Sequence, residues 1–190
     1  MAFNIGILIS GNGSNMLNII KASKSRQINS KIVTVVSNNS NALGIKKAKR
    51  NNINTKIINQ NLYSKNDFEK NLFDHLKKKN VNLVCLAGFM KMLSADFIKR
   101  CDFKIINIHP SLLPSFKGLD THKKAINMNV KYSGCTIHYV NEDIDSGQII
   151  DQEIVRITKN DDELSLKKKI LMKEHKLYIK VLKSLENNCE

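Results

Sequence analysis

Asn107 and His109 stand two positions apart at the head of the stretch Asn107-Ile108-His109-Pro110-Ser111-Leu112-Leu113-Pro114. In extended chain alternate side chains share a face, so the amide and the imidazole project together while Ile108 turns the other way. Donors of these two types, converging at the carboxyl end of a strand, polarise a carbonyl and stabilise the oxyanion that forms when it is attacked. Both prolines of the chain fall in this stretch and impose a rigid, non-regular backbone there. A lone histidine reads as an ordinary core residue; the asparagine at i−2 and the locked loop after it favour chemistry.

Three further groups carry polar chemistry. In Thr136-x-His138 the histidine alternates with Ile137, and it reads either as a hydrogen-bonded sheet residue or as a partner of the first site. Asp145 precedes Ser146 and Gly147 in a tight turn, where an aspartate is either a capping side chain or, if the fold brings it to His109, a proton partner. The loop Ser10-Gly11-Asn12-Gly13-Ser14-Asn15 separates an apolar run from a helical pattern. Glycines admit an anion close to the backbone, and the first-turn N–H groups of the helix point at it with the dipole behind them. It reads as a phosphate site or as a plain tight turn. A dinucleotide site is disfavoured, because Met16 occupies the place of the third glycine and no acidic residue ends the second strand. Lastly, Glu174 falls within the apolar stripe Ile170, Leu171, Leu177, Tyr178, Val181 and Leu182. A carboxylate there costs several kcal/mol (roughly) unless paired, so it is a ligand contact or half of a buried ion pair.

The elements that must position these groups follow from periodicity. Residues 3–9, 31–36, 53–58, 81–87 and 104–108 are short apolar or β-branched runs, and helical patterns alternate with them over 16–20, 42–50, 64–76 and 94–99. Ser64 is placed to cap its helix, with Asp67 three residues on. The segments GCTIHYV, DIDSG and QIIDQEIVRI read as strand, turn and strand, and a last helix spans 161–185, opening on Asp161, Asp162 and Glu163. This pattern predicts an α/β fold: one Rossmann-like domain over residues 1–190, doubly wound around a mainly parallel sheet, with a C-terminal strand-turn-strand and a long final helix. Ligands of such sheets collect beyond the carboxyl ends of the strands.

Composition bounds the rest. At 190 residues the chain is long enough for a single core, and no run approaches the ~20 apolar residues of a membrane span. The opening residues lack the features of a signal peptide, so a cytoplasmic protein is expected. Cys85, Cys101, Cys135 and Cys189 are widely spaced without C-x-x-C, which suggests neither a metal site nor a disulfide framework. The formal charge is +14, yet 27 of the 31 basic residues are lysine, only four are arginine, and asparagine appears 24 times. The clusters at 46–50, 77–79 and 167–169 lie in helical patterns and read as solvated helix faces. A nucleic-acid module would show clustered arginine and exposed aromatics, so no nucleic-acid and no membrane partner is expected.

Taken in order, ISGNGSN, LAGFMKML, INIHPSLLPSFKG, G-x-T-x-H and D-x-D-S-G resemble the phosphoribosylglycinamide formyltransferase family over about residues 3–182. The resemblance implies a formyltransferase domain that takes 10-formyltetrahydrofolate as formyl donor and glycinamide ribonucleotide as acceptor, in de novo purine biosynthesis, without a metal. It implies that Asn107, His109 and Asp145 are catalytic, with His138 in support. Gly13, Ser14, Asn15 and Glu174 would hold the phosphoribosylglycinamide. Lys65, Met90, Lys91, Met92, Leu93, Asn107, Asn141, Glu142, Asp143 and Ile144 would hold the folate. Lys65 stands where the family often has arginine, Leu171 where it usually has a polar or basic side chain, and Ile179 replaces a common proline. A cis peptide before Pro114 is also implied, and a monomer or weak homodimer is expected.

In this chemistry an amine attacks a formyl carbon directly. Protonated His109 and the Asn107 amide would stabilise the oxyanion, and Asp145 would hold the imidazole protonated. An adjacent carboxylate raises a histidine pKa, so the expectation is activity that falls as pH rises through that raised value. Related folate enzymes that act on methionyl-tRNA or hydrolyse formyltetrahydrofolate would need an additional domain that 190 residues are not expected to hold, and a hydrolase stays the weaker alternative.

Overall fold

The first apolar run forms β1 (Asn4–Ile9), and its alternating side chains divide the interior in two. The computed structural model describes residues 2–187; Met1 and residues 188–190, with Cys189 among them, lie outside the described residues. Ile5, Ile7 and Ile9 pack on one face against α1 (Ser14–Lys24), α2 (Leu43–Arg50) and α6 (Glu163–Asn187). Leu8 faces the other side, among Phe68, Leu72 and Leu76 of α3 (Lys65–Lys78) and Phe97 of α4 (Ala95–Arg100). The same alternation runs through β4 (Leu83–Leu86), whose Leu83 and Cys85 join the first cluster while Val84 and Leu86 join the second. Strands covered by helices on both faces read as continuous apolar runs for this reason.

The remaining strands are β2 (Lys31–Ser37), β3 (Thr55–Ile57), β5 (Lys104–His109), β6 (Tyr132–Tyr139) and β7 (Ile149–Arg156), and α5 (Thr121–Asn127) precedes β6. The sheet order is β3-β2-β1-β4-β5-β6-β7. Pairs from β3 through β5 are parallel, whereas β6 runs antiparallel to β5 and β7 antiparallel to β6. Successive crossovers lead from β1 outward to β2 and β3, then return to the other side of β1 for β4. The crevice of such a fold opens where that reversal occurs, beyond the carboxyl ends of β1 and β4.

Most expected elements are present with shifted ends. The third strand contracts to three residues, and β6 begins two residues before Gly134. Helix α6 starts at Glu163 because Asp162 caps it: Ser165 N–H donates to Asp162 Oδ1 at 2.7 Å and Asp162 N–H to Ser165 Oγ at 3.0 Å. Asp161 stays outside the helix, accepting from Thr158 and pairing with Lys169 at 2.6 Å. Ser64 does cap α3, accepting from Asp67 N–H at 3.1 Å. Helix α5 was not expected; its seven residues bury only Thr121 and Ala125, too few to show a period.

Helix α6 is held by its stripe. Leu166, Ile170, Leu177, Tyr178, Val181 and Leu182 are almost wholly buried, each contributing about 1.5–3 kcal/mol of burial free energy. Near its end Glu186 accepts from the N–H groups of Asn29 and Ser30 and from Ser30 Oγ, which ties the helix to the start of β2. Cys85, Cys101 and Cys135 are free, and burial pushes the Cys135 thiol up to about 12. Among the described residues no helix is long and apolar enough to cross a membrane, and no cluster of three or more His, Cys, Asp or Glu could hold a metal ion.

Candidate active site

Antiparallel pairing of β5 with β6 assembles the first part of the site. Asn107 lies opposite His138 and His109 opposite Thr136, and directly paired residues share a face. His138 Nδ1–H donates to its neighbour's carbonyl, Tyr139 O, at 2.8 Å, and Nε2, 3.2 Å from Asn107 Nδ2 and 3.6 Å from Asp145 Oδ1, accepts from the amide when the ring is neutral and donates towards the carboxylate when it is protonated. The Asn107 amide thereby has a fixed orientation, with its second N–H left for a ligand. Asp145 arrives from the turn after β6 in the left-handed region, φ 46°, a conformation that a non-glycine residue adopts only where its surroundings enforce it. Here the enforcement is visible. Gly118 N–H donates to Asp145 Oδ2 at 2.9 Å, His109 Nδ1 lies 3.2 Å from that same oxygen, and His138 Nε2 lies 3.6 Å from Oδ1.

His109 thus has an acceptor at each ring nitrogen, because Nε2 also lies 2.9 Å from Phe116 O. Only the doubly protonated ring donates to both at once. Burial opposes the charge: it is the largest influence on His109 and holds the imidazole below its ordinary value, although the Phe116 carbonyl and the Asp145 carboxylate both pull upward. The expectation of a raised pKa is therefore corrected, since desolvation of a side chain only 5% exposed outweighs the adjacent carboxylate. Asp145 shows the opposite balance. Burial pushes its carboxyl up, but His138, the Gly118 N–H and the charge of His109 together hold it below the usual range.

The proline-bearing loop is held by a residue that the sequence offered only as part of a motif. Thr136 Oγ1 donates to Ser111 O at 2.7 Å and accepts from Leu113 N–H at 3.0 Å and Gln152 Nε2 at 2.8 Å. Gln152 Nε2 also reaches Leu113 O at 2.9 Å. The Leu113–Pro114 peptide is cis, as the resemblance implied. Alternation does place Thr136 on the face of His138, but its partner Gln152 becomes visible only once the β6–β7 register is known.

At the sheet's reversal point lies the glycine loop. Gly13 takes the N-cap position of α1 at φ 68°, where a side chain would be strained, and no side chain caps the helix. The first-turn N–H groups are thus left for an anion. Ser10 binds this loop to the one after β4: its N–H donates to Gly88 O at 3.0 Å, its hydroxyl accepts from Met90 N–H at 2.7 Å and donates to Asn38 Oδ1 at 2.6 Å. Asn15 is buried, and its Nδ2 donates to Glu174 Oε2 at 2.7 Å while its Oδ1 has no partner. Glu174 is a hydrogen-bonded carboxylate rather than half of a salt bridge. Burial raises its pKa despite the Asn15 amide and the charge of Lys167.

The residues that the resemblance assigns to a folate lie on surrounding loops. Met90, Met92 and Ile144 are exposed apolar side chains, whereas Leu93 is buried. Lys91 Nζ sits 4.8 Å above the Phe68 ring. Glu142 is engaged with Lys99 at 2.9 Å, which links the 141–145 turn to α4. Lys65 is exposed at the first position of α3, and Asn141 and Asp143 are exposed in the turn. A cavity of about 580 Å³ lies elsewhere, between β7 and α6, and contains none of these residues; hydrogen bonding and topology define the site.

An open, doubly wound α/β sheet that brings an asparagine, a histidine and an aspartate together beside an uncapped helix N-terminus has the donors and the proton acceptor that attack on a carbonyl calls for. The chain belongs to the formyl transferase family, whose profile matches residues 3–182. It is 38% identical over 180 residues to a phosphoribosylglycinamide formyltransferase of Haemophilus influenzae, covering 94% of this chain and 85% of that one. The solved phosphoribosylglycinamide formyltransferase of Bacillus halodurans is similar with a TM-score of 0.94 at 36% identity, over 98% of this chain and 97% of that one. A 40% match over 175 residues links 92% of the chain to the human trifunctional purine biosynthetic protein adenosine-3, of which it spans only 17%.

Proposed function

We propose that residues 1–190 act as a single formyltransferase domain that moves the formyl group of 10-formyltetrahydrofolate to the amine of glycinamide ribonucleotide, giving formylglycinamide ribonucleotide and tetrahydrofolate in de novo purine biosynthesis. The observation that carries this reading is the joined set Asn107, His138, Asp145 and His109, set at one end of the sheet whose reversal point holds the glycine loop.

The N–H groups of Gly13, Ser14 and Asn15 bind the phosphate, and Glu174 holds the remainder of the acceptor. Met90, Lys91, Met92, Leu93 and residues 141–144 enclose the folate, with Lys65 near its acidic tail. The acceptor's amine lone pair attacks the formyl carbon. The carbonyl oxygen becomes an oxyanion that accepts from the free Asn107 N–H and is stabilised by the positive charge of the His109 imidazolium, whose own N–H groups face Asp145 and Phe116 O. Asp145, kept ionised by its neighbours, accepts a proton from the attacking nitrogen and passes it, directly or through water, to the folate nitrogen as its bond to the formyl carbon breaks. No covalent enzyme intermediate forms. The free thiols accord with a reducing, cytoplasmic setting, and a monomer or weak homodimer suffices because every proposed group comes from one chain.

The deciding experiment supplies 10-formyltetrahydrofolate with and without glycinamide ribonucleotide and follows deformylated folate. Turnover that requires the amine is the expected result. Equal turnover without it would mean hydrolysis and would overturn the proposal.

A further inference from the structure

The sequence offers Lys47 as one of the four basic residues in the cluster at 46–50, but the fold brings it to the glycine loop. Its Nζ donates to Asn12 O at 2.9 Å and to Asn12 Oδ1 at 2.5 Å, across 35 positions of sequence. What delivers it is the close seating of α2. Gly44 N–H donates to Gly11 O at 3.0 Å, and a Cβ on Gly44 would come within 2.4 Å of Ile9 Cδ1 and 3.3 Å of Gly13 Cα. Only a glycine lets the helix approach so near, and one turn later its face presents Lys47, half-buried, to the loop.

We infer that Lys47 is a binding residue for the substrate's phosphate, an inference that rests on the proposed function. An ammonium carries three N–H donors. Two are taken by Asn12, which fixes the carbonyl immediately before Gly13 and so orients the following N–H groups of the loop. The third meets a phosphate oxygen. The N–H groups of α1 supply neutral donors and a partial charge; Lys47 supplies the full positive charge that a dianion calls for, while Leu171, at the position where the family usually has a polar side chain, supplies none. Lys47 thus selects phosphorylated over unphosphorylated acceptor.

The test titrates ribose 5-phosphate calorimetrically into the full chain, wild type against Lys47→Met, Lys47→Gln and Lys47→Arg, beside steady-state kinetics with glycinamide ribonucleotide. The Met and Gln variants are expected to weaken ribose 5-phosphate binding and raise KM roughly tenfold, as for a partly exposed charge-assisted hydrogen bond. Turnover at saturation stays within about twofold, and Lys47→Arg retains most of the affinity because it keeps the charge. The loss shrinks in high salt. Wild-type affinity in Lys47→Met overturns the inference, and so does wild-type affinity in Lys47→Gln alone, which would credit the hydrogen bond and not the charge. Lys47-dependent binding without amine-dependent formyl transfer leaves the inference standing and removes the proposed function. Amine-dependent transfer with a KM indifferent to Lys47 does the reverse, and so does a wild type that transfers formyl to the amine but binds no ribose 5-phosphate.

Discussion

His109 and Asp145 form a pair in which each partner's charge favours the other's, and burial acts against both. His109→Ala and Asp145→Asn are each expected to lower kcat by roughly 10²- to 10⁴-fold with the circular dichroism spectrum unchanged; near-native turnover in either would remove that residue from the mechanism. A reaction that uses the imidazolium declines as pH rises through the His109 pKa, which burial sets below 6.5. Asp145 pulls that value upward, so Asp145→Asn moves the descending limb of kcat/KM to still lower pH; a limb that stays in place would deny the coupling. The asparagine and histidine were legible because a period of two and a pair of prolines mark them. The contact with Asp145 was not, since it joins positions 36 apart through a turn whose path depends on Gly118. Lys47 carried no signal at all among 27 lysines.

The β6 strand serves as a second attachment for the catalytic loop. Thr136→Val keeps the shape but removes the hydroxyl, and leaves the Leu113 N–H and the Ser111 carbonyl without their shared partner. The expected loss is about 1–3 kcal/mol, read from urea midpoints, together with a reduced kcat as the loop beside His109 loosens; unchanged stability would show that water replaces the hydroxyl. Strands and long helices were readable because two-sided burial writes continuous apolar runs and α6 shows a full stripe. What periodicity missed was short. Helix α5 has seven residues, and β3 keeps three of the six expected because only these pair with β2. The start of α6 is set by a local capping box, so Asp161 is freed to pair with Lys169.

Across the whole molecule, His75, His109, His122 and His175 are all held below their ordinary value, chiefly by burial. The unfolded chain binds protons near 6.5 where the native state does not, so stability is expected to fall as pH drops through that value, and further as the depressed carboxyls of Asp145 and Asp161 take up protons. The formal charge of +14 adds repulsion in the same direction. Melting temperatures between about pH 8 and about pH 5 would check this, and a flat profile would contradict it. Ser10, itself in the loop after β1 and bonded at once to the loops after β2 and β4, gives the two proposed binding sites a common keystone. A shift of either loop on binding is passed to the other through Ser10, so any change that one proposed substrate makes in its companion's affinity is the same factor whatever the order of addition. Ser10→Ala would bring that factor towards one, and the two ligands would then bind as strangers on a shared surface.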